Sequence, residues 1–155
     1  MKVFAILNGG GHTAETLRLV NRLGDNQYYY LADAFDRLTK SKVNKTLPVL
    51  APRKSEKDSR IMSVLRMMIT AILSMIYVLK YKPNVIVAVG GNLAVPIFLI
   101  CKRFGVKTIF VESIARVKTL SDSGQLLYGK VDAFVVQWPY LAVQLKKSIW
   151  GGLLL

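Results

Sequence analysis

An α/β fold built on a parallel sheet covered on both faces is predicted by three features of this 155-residue sequence. Apolar runs of strand length alternate with helix-period segments almost from end to end. Glycine turns, Asn8-Gly9-Gly10-Gly11 and Val89-Gly90-Gly91-Asn92, separate strand from helix at two junctions. No internal repeat or low-complexity linker breaks the alternation, and the length suits a single domain, 1–155, able to bury roughly two thirds of its unfolded surface.

Taken in order, the run Val3-Phe4-Ala5-Ile6-Leu7 places the first strand over 2–7, and a helix over 13–23 follows the first glycine turn. Aromatic and β-branched residues place strands over 27–31 and 45–50, with a helix over 35–42 between them. Residues 53–60, Arg-Lys-Ser-Glu-Lys-Asp-Ser-Arg, read as a basic solvated loop. A helix over 61–80 is followed by a strand over 84–89, which carries Val85-Ile86-Val87-Ala88 into the second glycine turn. Pro96 is acceptable only in a first turn, so the next helix covers 93–104. A strand over 107–111, a helix over 120–130 and a strand over 133–137 come next; Trp138-Pro139 ends that strand and opens a helix over 140–146. A weak last strand covers 148–150.

Lys and Arg number 22 against 9 Asp and Glu, a formal charge of +13, yet 52% of residues are hydrophobic and mean hydropathy is +0.35. That combination excludes a disordered basic tail and implies a folded protein that meets an anionic surface. Nucleic acid is not the expected partner, because the cations are scattered between apolar helices and no recognition motif is present. The one cysteine, Cys101, cannot form an internal disulfide and reads as a core thiol in a reducing compartment. Met1 runs directly into strand-like sequence without a charged leader, so no signal peptide is expected.

The helix over 61–80 is unusual. Fifteen of the residues 61–79 are apolar, and the exceptions Ser63, Arg66, Thr70 and Ser74 follow each other at steps of three, four and four. They share one narrow face, so the apolar surface is far wider than the stripe a globular helix buries. Partial immersion in a membrane interface accounts for it, with Arg53, Lys54, Lys57, Arg60, Lys80 and Lys82 meeting anionic headgroups at about 1 kcal/mol each. A core helix between the sheet and a partner subunit is the alternative.

Three loops belong at the carboxyl rim of the sheet, where ligands of open α/β sheets bind. At the first, Gly9, Gly10 and Gly11 expose amides beside a helix start, and the only histidine, His12, adds an imidazole suited to proton transfer near neutrality; Thr13 follows. Gly90, Gly91 and Asn92 form a second amide-rich anion site. The third, Glu112-Ser113-Ile114-Ala115-Arg116, brings a carboxylate, a hydroxyl and a guanidinium whose geometry suits phosphate. Structural roles stand beside these: the glycines as tight turns, His12 as a helix-start residue, Glu112 as a cap or a partner of Arg116, and Glu15 satisfying amides of its own helix start. Gly9-x-Gly11-x-x-Ala14 with Asp33 also fits the dinucleotide fingerprint, an NAD(P)-dependent oxidoreductase being the rival, though no catalytic set accompanies it. A P-loop kinase fits less well still, because no Gly-Lys-Ser or Gly-Lys-Thr follows the glycines.

Gly9-Gly10-Gly11-His12-Thr13-Ala14-Glu15, the run from Val111 to Gly124, and Val136-Gln137-Trp138-Pro139 together resemble the membrane-anchoring subunit of the two-part UDP-N-acetylglucosamine transferase of the dolichol pathway. Without an amino-terminal membrane helix, the chain is most similar to the bacterial accessory proteins of exopolysaccharide and capsule glycosyltransferases. The resemblance implies a Rossmann-like domain, the amino-terminal acceptor-side half of a GT-B glycosyltransferase, at the cytoplasmic face of the membrane. It implies a UDP-sugar-binding catalytic subunit as partner and a polyprenyl-diphosphate-linked sugar as acceptor. The diphosphate would lie on Gly9, Gly10, Gly11, Thr13, Gly90, Gly91, Asn92, Ser113 and Arg116. His12 would be the base, with Glu112 as orienter or alternative base, and neither metal nor cofactor is expected. A non-catalytic scaffold that recruits the transferase is the other reading, and the apolar stretch 149–155 is either a partner contact or an edge strand.

Overall fold

The computed structural model describes residues 1–52 and 59–154, so most of the basic loop 53–60 lies outside the described residues. Seven strands, β1 (Lys2–Leu7), β2 (Gln27–Asp33), β3 (Thr46–Val49), β4 (Val85–Val89), β5 (Lys107–Val111), β6 (Ala133–Val136) and β7 (Ile149–Trp150), form one sheet. Every pairing is parallel and the order is β3-β2-β1-β4-β5-β6-β7. The chain steps outward from β1 to β3, then returns through a long helix to pair β4 with the other side of β1. The order therefore reverses between β1 and β4, which puts the two glycine turns side by side on the carboxyl rim.

Helices α1 (Gly10–Arg22), α2 (Arg37–Lys40), α3 (Arg60–Tyr81), α4 (Ala94–Arg103), α5 (Asp122–Leu127) and α6 (Pro139–Gln144) connect the strands. The larger core joins Phe4, Ile6, Ile86, Phe110 and Phe134 of the sheet to Val78 of α3, Phe98 of α4, Leu127 of α5 and Leu141 of α6. On the opposite face Val3, Ala5 and Val87 pack on Val20 of α1. Val89 and Val111 on that face are covered by Leu154, brought back over the sheet by the segment after β7. Ile149 and Trp150 remain exposed on the edge strand.

Several helices differ from the sequence expectation. α1 begins at Gly10 rather than residue 13, because Gly9 adopts φ 79°, ψ 161° and turns the chain directly into the helix. α2 and α5 are short; α5 starts where the Ser121 hydroxyl accepts from the Gly124 amide (3.0 Å) and ends just before Gly129 at φ 73°. α6 starts at Pro139, whose missing N–H costs nothing at that position. Cys101 is buried in α4, and burial pushes its thiol up to about 12.

α3 is packed with its polar stripe inward. The Thr70 hydroxyl accepts from the Leu50 amide (3.0 Å) and donates to the Leu50 carbonyl (2.6 Å), tying the helix to the chain just past β3. Ser74 is buried beside it and donates to the Thr70 carbonyl at 2.6 Å. Met68, Ile72, Met75, Ile76 and Leu79 point away from the protein. A helix of a water-soluble domain has the reverse arrangement. Among the described residues α3 is the one helix long and apolar enough to cross a membrane, and only 17% of its most apolar window is buried inside the protein.

Candidate functional site

The two glycine turns are in contact. The Asn8 side-chain Nδ2 donates to the Gly90 carbonyl at 2.9 Å, joining the end of β1 to the end of β4. Gly90 and Gly91 have φ of 54° and 80°. A Cβ on Gly90 would lie 2.7 Å from His12 Cε1, and one on Gly91 would lie 2.2 Å from Asn8 Cγ. Glycine is required there twice over, by backbone conformation and by the imidazole and carboxamide packed against it. Gly91→Ala is expected to destabilise the fold by about 2–4 kcal/mol, combining left-handed strain with overpacking, whereas Gly129→Ala at φ 73° in open space loses only about 1–2 kcal/mol. Urea unfolding midpoints of the two variants check this.

The rim amides are not equivalent. The Gly9 N–H donates to the Thr13 hydroxyl (2.9 Å) and the Gly90 N–H to the Val111 carbonyl (2.9 Å), so neither is offered to a ligand. Gly10, Gly11 and His12 occupy the first turn of α1, where N–H groups have no partner within the helix. No side chain caps that end and no acidic residue lies in its first turn. The positive end of a 13-residue helix thus faces the rim. One carboxylate, Asp36, lies close to Gly9 and accepts from the Thr39 amide at 2.9 Å.

The remaining expected residues divide by exposure. Thr13 and Ser113 are buried: the Thr13 hydroxyl also pairs with that of Thr39 at 3.2 Å, and the Ser113 hydroxyl donates to Glu15 at 3.1 Å. Asn92 and Arg116 are exposed at the rim. His12 is intermediate, its side chain 38% exposed, with Nδ1 buried and without a hydrogen-bond partner among the described residues.

Glu112 is 0% exposed. Its carboxylate accepts from the Ser113 amide (3.0 Å), the Ser121 amide (3.0 Å) and the Ser121 hydroxyl (2.9 Å), which fixes the loop between β5 and α5. A Cβ on Gly124 would come within 2.0 Å of its Oε2, so this seat exists only because residue 124 is glycine. The carboxylate beside His12 is instead Glu15, with Oε1 4.0 Å from His12 Nδ1. Glu15 does not serve its own helix start. It accepts from the Ser113 hydroxyl, the Ile114 amide (3.1 Å) and the Gln137 carboxamide (2.8 Å), linking α1 to the β5 and β6 loops.

Asn8, Glu15 and Gln137 were absent from the expected site. Glu15 and Gln137 stood inside the recognised motifs, and a glutamine closing the apolar run of β6 is the signal that could have marked one of them. Asp33, expected on a ribose in the dinucleotide reading, accepts locally from the Phe35 amide at 3.2 Å.

Residues 3–154 match the family described as "Oligosaccharide biosynthesis protein Alg14 like". A Schizosaccharomyces pombe protein named UDP-N-acetylglucosamine transferase subunit alg14 is 35% identical over 97% of this chain and 82% of its own length. The Mus musculus protein of the same name is 32% identical over 98% of this chain and 82% of its own. Among solved structures, Acinetobacter baumannii MurG superposes with a TM-score of 0.70 at 18% identity over 90% of this chain, and a UDP-N-acetylglucosamine 2-epimerase with 0.70 at 14% over 95%. The chain spans 42% and 44% of those two proteins, and the likeness establishes a Rossmann-like fold of the kind found in one half of a GT-B glycosyltransferase.

Proposed function

Because the chain belongs to the family of Alg14-like oligosaccharide biosynthesis proteins, we propose that it is the acceptor-side, membrane-associating subunit of a split UDP-sugar glycosyltransferase that acts on lipid-linked sugars. Family membership also sets aside the dinucleotide-dependent oxidoreductase. Relatives bear the name of a transferase subunit, which supports a second polypeptide as the carrier of the UDP-sugar.

The observation that carries the reading is the His12 imidazole packed on Gly90 between two interlocked glycine turns, at the uncapped start of α1. A polyprenyl diphosphate places its phosphates against the Gly10, Gly11 and His12 amides, with Asn92 and Arg116 at the open side. Gly9, Thr13, Gly90, Gly91 and Ser113 shape this cradle, and Glu112 orients the loop that carries Arg116. The acceptor sugar hydroxyl then attacks the anomeric carbon of the UDP-sugar: the new C–O bond forms, the bond to the UDP oxygen breaks, UDP leaves with the electron pair, and His12 takes the hydroxyl proton.

α3 supports a membrane-borne acceptor. It runs back from the carboxyl rim, so its amino end lies on the same side of the sheet as the glycine turns. Immersion of its apolar face at the cytoplasmic surface, with Arg60, Lys80 and Lys82 among anionic headgroups, brings the lipid's diphosphate level with the cradle. Reconstitution tests the whole reading. This chain, the partner chain co-expressed with it, and the two together are assayed for transfer from UDP-sugars to a lipid-diphosphate acceptor. Transfer is expected only from the pair, and full activity of either chain alone rejects the split enzyme.

A further inference from the structure

We infer that Glu15 is the positioning residue for His12, holding a proton on the imidazole Nδ1 so that Nε2 is free to accept one from the acceptor hydroxyl; this rests on the reading of His12 as the base. The two residues are three apart on α1, so they share a face. His12 Nδ1 is buried and unpartnered among the described residues, and Glu15 Oε1 lies 4.0 Å from it.

The hydrogen bonds around Glu15 determine which of its oxygens can serve. A carboxylate oxygen accepts about two hydrogen bonds. Oε2 already takes two, from the Ile114 amide and from Gln137 Nε2. Oε1 takes one, from the Ser113 hydroxyl. The open acceptor position of this 5%-exposed carboxylate is therefore on the oxygen nearest His12. Closing the gap to hydrogen-bond length requires the His12 side chain to turn toward Glu15, and catalytic contacts often tighten in this way when ligand binds. The carboxylate cannot swing away, because Gln137 pins it. Gln137 is 1% exposed and held at both ends: Nε2 also donates to the Glu112 carbonyl (3.0 Å), and Oε1 accepts from the Leu154 amide (2.8 Å).

Because the chain has one histidine, a ¹⁵N-imidazole NMR spectrum of the full chain reports this ring alone. The neutral wild-type ring is expected as the Nδ1–H tautomer. Glu15→Gln is expected to lose that preference and, in the two-chain enzyme, to lower kcat about 10- to 100-fold while the acceptor KM stays within about twofold. A loop that merely loosened would shift KM and leave the tautomer alone. If Glu15→Gln does not fold, the wild-type spectrum decides. A neutral ring protonated chiefly on Nε2, or a variant with unchanged tautomer and kcat, overturns the role of Glu15. A rate untouched by His12→Ala overturns instead the base on which that role depends.

Discussion

His12→Ala is expected to lower sugar transfer by the proposed two-chain enzyme about 10²-fold, the contribution of one well-placed general base. The fold survives, because the ring is part-exposed and its loss opens space at the rim rather than in the core. Glu112→Gln behaves differently. Its carboxylate accepts only from donors, so a carboxamide turns one N–H toward another donor in a site without water access. That variant loses stability by about 1–3 kcal/mol along with activity, whereas His12→Ala loses activity with its urea midpoint nearly unchanged. Measuring both rate and midpoint for each variant therefore separates a group that handles the proton from one that holds a loop. Equal, wild-type rates in both would leave this chain the task of recruitment alone.

The second large effect is on membrane association. Met68 and Ile72 are 58% and 53% exposed on the outward face of α3, so glutamate at either position changes the folded protein's stability little. Immersing each of these side chains in a bilayer interface is worth about 1.5–3 kcal/mol, which a carboxylate forfeits. Met68→Glu with Ile72→Glu is therefore expected to reduce binding to anionic vesicles more than 100-fold, one factor of ten for each 1.4 kcal/mol. Flotation measures this, with circular dichroism showing that the helix content is retained. Replacing Lys80 and Lys82 by glutamine should weaken binding less, and only at low salt. Equal flotation of the glutamate variant and the wild type would assign the face to a protein partner.

The sheet was readable in the sequence because each central strand is an apolar run bounded by glycine, a signal that does not depend on the rest of the chain. The polar stripe of α3 was readable for the same reason, since Ser63, Arg66, Thr70 and Ser74 fix a face by spacing alone. Helix starts were harder. Gly10 and Gly11 look like turn residues by composition, and only the φ and ψ of Gly9 reveal that they are helical. The candidate site was half legible. His12 and the glycines are local features, but the partner of each carboxylate is set by contacts 98 and 99 residues away for Glu15. Glu112, at the end of a strand, has the appearance of an accessible acid; its burial depends on the absent side chain of Gly124. Gln137 reaches Glu15, Glu112 and Leu154 at once, a convergence that no spacing rule encodes.

The clasp of Asn8 on Gly90 has a thermodynamic corollary. It locks together two turns that each continue a central strand buried over its last four residues, so the rim inherits the stiffness of β1 and β4. On the proposed reading, an incoming lipid would meet a rim whose backbone order was established when the sheet formed, and would lose little conformational entropy on docking. Any hinge-like closure during the proposed sugar transfer would then fall to the second polypeptide, with this half serving as the anvil.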